Sequence, residues 1–217
     1  SWRIIWKGVL VMAIIYPLAL PTVTGVAQIE LRAINAVAYS RSPFTFSGQA
    51  HAYSGQAWQA DITLPPMKRD AAEVWISWLI ALRGQFGTFL LNDPSGVTPR
   101  GSAGGSPLVN GAAQTGNLIN IDGCLPSQTG WLKAGDYVQF GSGASASLHK
   151  VLEDVNSNAS GETTLEIWPS VRNAPSDNSS VVTSSAKGLF RLSSNEQAWS
   201  VNEASIYGIT FGAMEAI

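Results

Sequence analysis

Two histidines and one cysteine are the scarcest reactive side chains in a chain of 217 residues. His51 and His149 lie far apart, and neither belongs to an HExxH spacing or a Cys/His cluster, so no metal site is expected. Both imidazoles are assigned to surface or interface positions. Cys124 has no partner for an intrachain disulfide, so packing or assembly must supply the stability, and the redox compartment stays open. Serines are plentiful, but none sits in a Gly-x-Ser-x-Gly elbow between a strand and a helix. Gly141-Ser142-Gly143 outlines a dinucleotide loop, yet a strand follows it and not a helix, so no helix N-terminus is present to hold a pyrophosphate. Glu153 and Asp154 are adjacent and would point to opposite faces of a strand, which is wrong for an acid/base pair. Asn158-Ala159-Ser160 and Asn178-Ser179-Ser180 fit the glycosylation sequon and are read as loop chemistry. No catalytic, cofactor-binding or metal-ligating residue is nominated on these grounds.

The elements that would position any site are clearest between Leu64 and Pro94. Pro65 and Pro66 close a strand and suit a helix entry, where a missing N–H costs nothing. Ala71, Val74, Trp75, Trp78, Leu79 and Leu82 recur at steps of three and four, predicting a helix over 67–83 with one apolar face. Gly84 is placed for the left-handed position beyond the helix end, and Arg83 for a cation in the last turn. Thr88-Phe89-Leu90-Leu91 then reads as a core strand closed by Asn92-Asp93-Pro94. At i, i+3 on one face, Trp75 and Trp78 are assigned to the core or to subunit contacts. Ile76 and Ile80, off that face, are candidates for contact with a neighbouring subunit.

Before the helix, Ile29–Tyr39 and Pro43–Phe46 are rich in β-type residues. Ser-Gly-Gln-Ala occurs at 47–50 and 54–57, and Ser54-Gly55 is read as a hairpin turn leading into the alternating strand Trp58–Leu64. After Pro94, residues 99–117 are glycine-rich with few large side chains and are read as a flexible linker. Short β-like runs at 118–121, 136–140, 148–155 and 163–171 suggest a small barrel or sandwich inserted at 118–175. A Ser/Asn/Pro-rich return at 173–187 precedes three more strands. The fold class expected is mainly β with one principal helix (α+β): a discontinuous β-sandwich-like domain of residues 12–98 plus 186–217, carrying the inserted module.

Hydrophobic residues make up 45% of the chain, enough for a sizeable core, whereas only 13% are charged and the net charge is −2. The missing Lys/Arg cluster argues against nucleic acid, where phosphate neutralisation dominates. Scarce charge suits a subunit largely covered by neighbours. Gly8–Leu20 is apolar but short for a membrane span and interrupted by Pro17, so no stable membrane insertion is expected. A signal peptide would have this charge order but lacks a good cleavage site. The favoured start is Met12, leaving Ser1–Val11 as an amino-terminal extension.

The order of parts resembles the distal tail (Dit-like) or minor tail hub proteins of long-tailed bacteriophages. The phrases that carry it are Leu64-Pro65-Pro66-Met67, the Trp-rich helix with Gly84-Gln85-Phe86-Gly87, Leu132-Lys133-Ala134-Gly135-Asp136-Tyr137, and Ile167-Trp168-Pro169-Ser170-Val171-Arg172. The resemblance implies a non-enzymatic virion protein without cofactors, assembled in the host cytoplasm. It would form a sixfold or threefold homo-oligomeric ring joining the tail tube to tail-tip, hub and host-binding proteins. Two other readings stay open. One is a carbohydrate-binding tail-tip module contacting host surface glycan through Trp131, Tyr137 and Trp168, although these aromatics equally suit the core of a small barrel. The other is a secreted bacterial β-protein.

Overall fold

A computed structural model describes residues 14–217, so the expectations about Ser1–Val11 and a start at Met12 lie outside the described residues. Among those residues the chain is mainly β with one α-helix and two antiparallel sheets, as the sequence leads one to expect. In chain order the elements are β1 (Gln28–Arg41), β2 (Gly48–Thr63), α1 (Arg69–Ala81), β3 (Thr88–Leu91), β4 (Gly105–Val109) and β5 (Gly116–Cys124). There follow β6 (Tyr137–Phe140), β7 (Ser147–Val151), β8 (Thr163–Val171), β9 (Gly188–Leu192), β10 (Trp199–Val201) and β11 (Tyr207–Glu215).

The base sheet has the order β1-β2-β11-β9-β3, with β10 added to β11. The strands after the insert therefore pair with those before it: β9 lies against β3 and β11 against β2. Helix α1 covers this sheet. Trp75 and Trp78 meet edge to face at 5.7 Å, and Trp78 meets Phe89 at 5.0 Å and Phe211 at 5.7 Å. Offset and perpendicular ring pairs of this kind add to the burial energy. The amino-terminal segment is fastened along the same Trp75/Trp78 stripe. Trp78 Nε1 donates to the Ala19 carbonyl at 2.8 Å, Trp75 Nε1 to Thr24 Oγ1 at 2.9 Å and Tyr16 OH to the Ala81 carbonyl at 2.6 Å. Leu18 also pairs with β3, covering the outer edge of that strand.

Tertiary packing changes which helix residues are free. Ile76 is only 5% exposed and belongs to the core, so it is not available to a neighbouring subunit. Val74, assigned to the core face by its spacing, is exposed instead. The helix is also shorter than the 67–83 expected, and Arg83 itself takes the left-handed position (φ 52°) ahead of Gly84 (φ 65°). An apolar period marks one stripe, and it cannot show which tertiary neighbours will cover the flank.

The second sheet has the order β4-β5-β8-β7-β6. Its two edges are laced together by the return segment. Val181 N donates to the Pro107 carbonyl beside β4, and Val182 and Gln139 exchange backbone bonds on β6. The insert is thus a sheet curled as a half-barrel, its edges bridged by residues 180–182, around Ile119, Ile121, Trp131, Leu132, Val138 and Leu165. Neither flanking stretch is a free linker. Residues 99–117 contain β4, and 173–187 contain the closing segment with Val181 and Ala186 buried. Bridging a sheet's edges covers their unpaired groups, and this recruits stretches too polar to look like strands.

Candidate functional site

Ser54-Gly55, expected to be a hairpin turn, lies within β2. The turn is at 42–47, so Pro43–Phe46, β-type by composition, is not strand. There Phe46 N donates to the Ser42 carbonyl (3.0 Å), Ser42 N to the Ser47 carbonyl (2.8 Å), and Phe44 and Thr45 N–H groups approach Ser42 Oγ. The repeat motif marks a bulge. Asn35 faces Gln56 but Val37 faces Ala52, so Ala36 alone opposes residues 53–55. A Cβ on Gly55 would come within 2.9 Å of the Ala36 methyl, which explains the glycine.

The result is a long two-stranded arm. Among the described residues, β2 beyond Gln59 pairs with no strand other than β1, because its pairing to β11 runs only from Thr63 to Gln59. Ten residues from Gly48 to Ala57 extend roughly 30 Å at the usual strand rise. Both strands of the arm therefore offer an open edge. Val37, Tyr39 and Tyr53 are more than half exposed, Phe46 likewise, and Phe44 at the tip is 91% exposed. Between Ala33 and Gln56 the only charged side chain is that of Arg41, and it lies 4.5 Å over the Phe46 ring. An isolated hairpin is marginal in water, and bare edges are normally guarded by lysine or other charge. This arm has the composition of a surface that is covered. From the sequence alone, the near absence of charge between Ala33 and Gln56 was the available signal.

The nominated aromatics are engaged elsewhere. Trp131 is fully buried with Nε1 donating to the Gly104 carbonyl at 2.8 Å, so it cannot be a sugar platform. Tyr137 is buried at the foot of the barrel, its OH 3.1 Å from Asp93 Oδ2 and from Lys150 Nζ. Burial and the Asp93 charge hold its phenol well above the ordinary range. Trp168 stands perpendicular to Trp58 at 4.6 Å and donates from Nε1 to Asn35 Oδ1 at 2.7 Å. Tyr137 and Trp168 fasten the barrel to the base of the arm. Arg172 joins them, donating to Glu215 Oε2 at 3.1 Å and to the Gln56 carbonyl at 2.6 Å. Ile80 is 59% exposed and does remain free on the helix surface.

Asp136 holds the glycine-rich stretch in place. It is buried and accepts from Arg100 N (2.8 Å), Gly101 N (3.1 Å) and Lys133 N (2.8 Å), so the Leu132–Tyr137 phrase has a structural purpose.

His149, expected at a surface, is buried against Phe140 at 5.3 Å. Its Nδ1 lies 2.6 Å from the Pro169 carbonyl and its Nε2 2.9 Å from Ser147 Oγ. Burial, aided by the Arg172 charge, pushes its pKa down to about 4, whereas an unfolded histidine titrates near 6.5. The folded state therefore refuses a proton that the unfolded chain takes up. Its stabilising effect is complete above pH 6.5 and is lost progressively between 6.5 and 4, up to roughly 3 kcal/mol. Glu215, whose pKa burial raises, works in the opposite direction over the acidic range. Urea midpoints at pH 7.5 and 4.5 should show a fall in stability for the parent chain and a much smaller one for His149→Gln.

Among the described residues no three His, Cys, Asp or Glu side chains converge as a metal site, and no helix is long and apolar enough to cross a membrane. Cys124 is buried, and burial beside Asp122 raises its thiol pKa to about 11, far from a reactive thiolate. No family model matches the chain, and no curated protein matches it.

Proposed function

We propose that the chain is a ring-forming structural subunit of a bacteriophage tail tip, of the distal tail or hub kind, joining the tail tube to the tip and to host-binding proteins. The observation that carries this reading is the arm of β1 and β2. It is charge-poor, aromatic at its tip and open along both edges. Its exposed Tyr39, Phe44, Phe46 and Tyr53 together present on the order of 500 Å² of aromatic surface, at about 200 Å² per ring side chain. With Ile34 and Val37 this approaches the share of about 800 Å² that one partner brings to a stable protein interface. One edge belongs to β1 and the other to β2, so copies joining edge to edge would meet through two different surfaces. Such head-to-tail contacts close into rings when the rotation from copy to copy divides a full turn, and run on as filaments when it does not. The sparse charge of the whole chain agrees with a subunit hemmed in by neighbours.

Native mass spectrometry and light scattering of the full chain should give a closed oligomer, six or three copies being the expected sizes. Replacing Val37, Tyr39 and Phe44 together with serine should weaken association at least tenfold, about 1.4 kcal/mol. Monomer stability should change little, since these side chains touch water. A parent chain that stays monomeric at high concentration and binds no tube protein would overturn the reading.

A further inference from the structure

Ser147 and His149 stand two residues apart on β7, so both side chains leave the same face of the strand. A carbonyl oxygen only accepts, so the 2.6 Å contact with Pro169 places the imidazole proton on Nδ1. Nε2 is then an acceptor aimed at Ser147 Oγ, 2.9 Å away. The other acceptor within reach of that hydroxyl, the Phe140 carbonyl, is more distant at 3.4 Å. Nucleophile, base and orienting group stand in the order used by activated serines, with a backbone carbonyl in the place of the acid. Such constellations are recognised by geometry and need no elbow motif.

Ser147 and His149 line a cavity of about 320 Å³ between the barrel and the base sheet, with Phe140, Val171 and Arg172 also on its wall. The same wall holds Ser179, whose Oγ is the one buried side-chain polar atom without a partner among the described residues.

We propose that Ser147 is a nucleophile that accepts an acyl group from a small activated ester, independently of the assembly role. Ser147 Oγ attacks the ester carbonyl while its proton passes to His149 Nε2. The acyl carbon–alkoxy bond then breaks, and the alcohol leaves with the proton from Nε2, or leaves as a stable anion while Nε2 releases that proton to solvent, and an acyl-serine remains. Return of the enzyme would require water to repeat the sequence with His149 as base. No carboxylate faces Nδ1 to stabilise the imidazolium, and the Arg172 cation is nearby. The low proton affinity of His149 slows both steps, but an activated ester expels a stable anion with little help whereas the acyl-serine is an ordinary alkyl ester, so the adduct accumulates and the protein is an acyl acceptor with little turnover.

The test treats the full chain with 4-nitrophenyl acetate and follows nitrophenolate release and intact mass. A burst of about one equivalent is expected, with one acetyl group mapped by peptide sequencing to Ser147. Ser147→Ala should abolish both burst and adduct while keeping the parent circular dichroism spectrum. Because His149→Gln could disturb the packed interior, Ser147→Cys is the second variant, and it should restore a burst with the acetyl group mapped to position 147. No burst in the parent chain, acetylation at a different residue, or an unchanged burst in Ser147→Ala would each overturn the proposal.

Discussion

Trp75→Ala is expected to lower the stability of the base sheet by about 4 kcal/mol, within the range for emptying a buried tryptophan site. Trp75 is fully buried, and its ring lies between Trp78 and Phe211, 5.7 and 6.2 Å away. Truncation opens a cavity at the meeting point of helix, sheet and amino-terminal segment, where no single layer can move in to fill it. It also removes the Nε1 bond to Thr24 Oγ1, which holds that segment across the helix. For a chain of this size the loss should appear as a fall of roughly 10 °C in melting temperature. Val74→Ala is the control, because Val74 is exposed one residue away. Equal effects of the two substitutions would mean that the helix does not pack as described.

Asp136→Ala should cost about as much, by a different route. Three backbone N–H groups, on Arg100, Gly101 and Lys133, converge on this carboxylate, and Arg100 Nε approaches it at 3.6 Å. Alanine leaves those donors without a partner at a poorly hydrated position, at about 1–3 kcal/mol for each group left unsatisfied. Asp136→Asn keeps one accepting oxygen but turns an NH₂ toward the remaining donors, so an intermediate loss is expected. Hydrogen exchange is the informative measurement. Amides of residues 99–109 and 131–140 should lose protection, while those of β3 and β9 keep theirs. Unchanged exchange at 99–109 would show that the stretch is held by something other than Asp136.

How much of this was legible in the sequence depended on how local each determinant is. The helix, β3, the alternating Trp58–Leu64 run and the inserted β-module follow from periodicity and turn residues, and the structure contains all of them. Ile76 lies off the apolar stripe, and its burial in the core is set by tertiary neighbours that the helical period does not locate. The closing segment 179–182 looked like linker because its strand character comes from the two edges it joins. Trp131 and Tyr137 were offered as ligand contacts by residue type, yet burial is set by neighbours that composition does not locate. The Ser147–His149 pair was missed for a related reason. Ser-x-His is a common spacing on any strand, and the Pro169 carbonyl that gives it meaning arrives from β8.

The way the half-barrel's edges are bridged and β3 is paired has a consequence for how the chain is made. When synthesis has reached residue 178, β4 and β6 still lack the segment that will join them, and β3 still lacks β9. The next fourteen residues, 179–192, supply both. Until they leave the ribosome, the nascent chain carries two unfinished sheets; this passage bridges the edges of the second sheet and gives β3 its partner, while the base sheet stays open between β2 and β9 until β11 follows at 207–215.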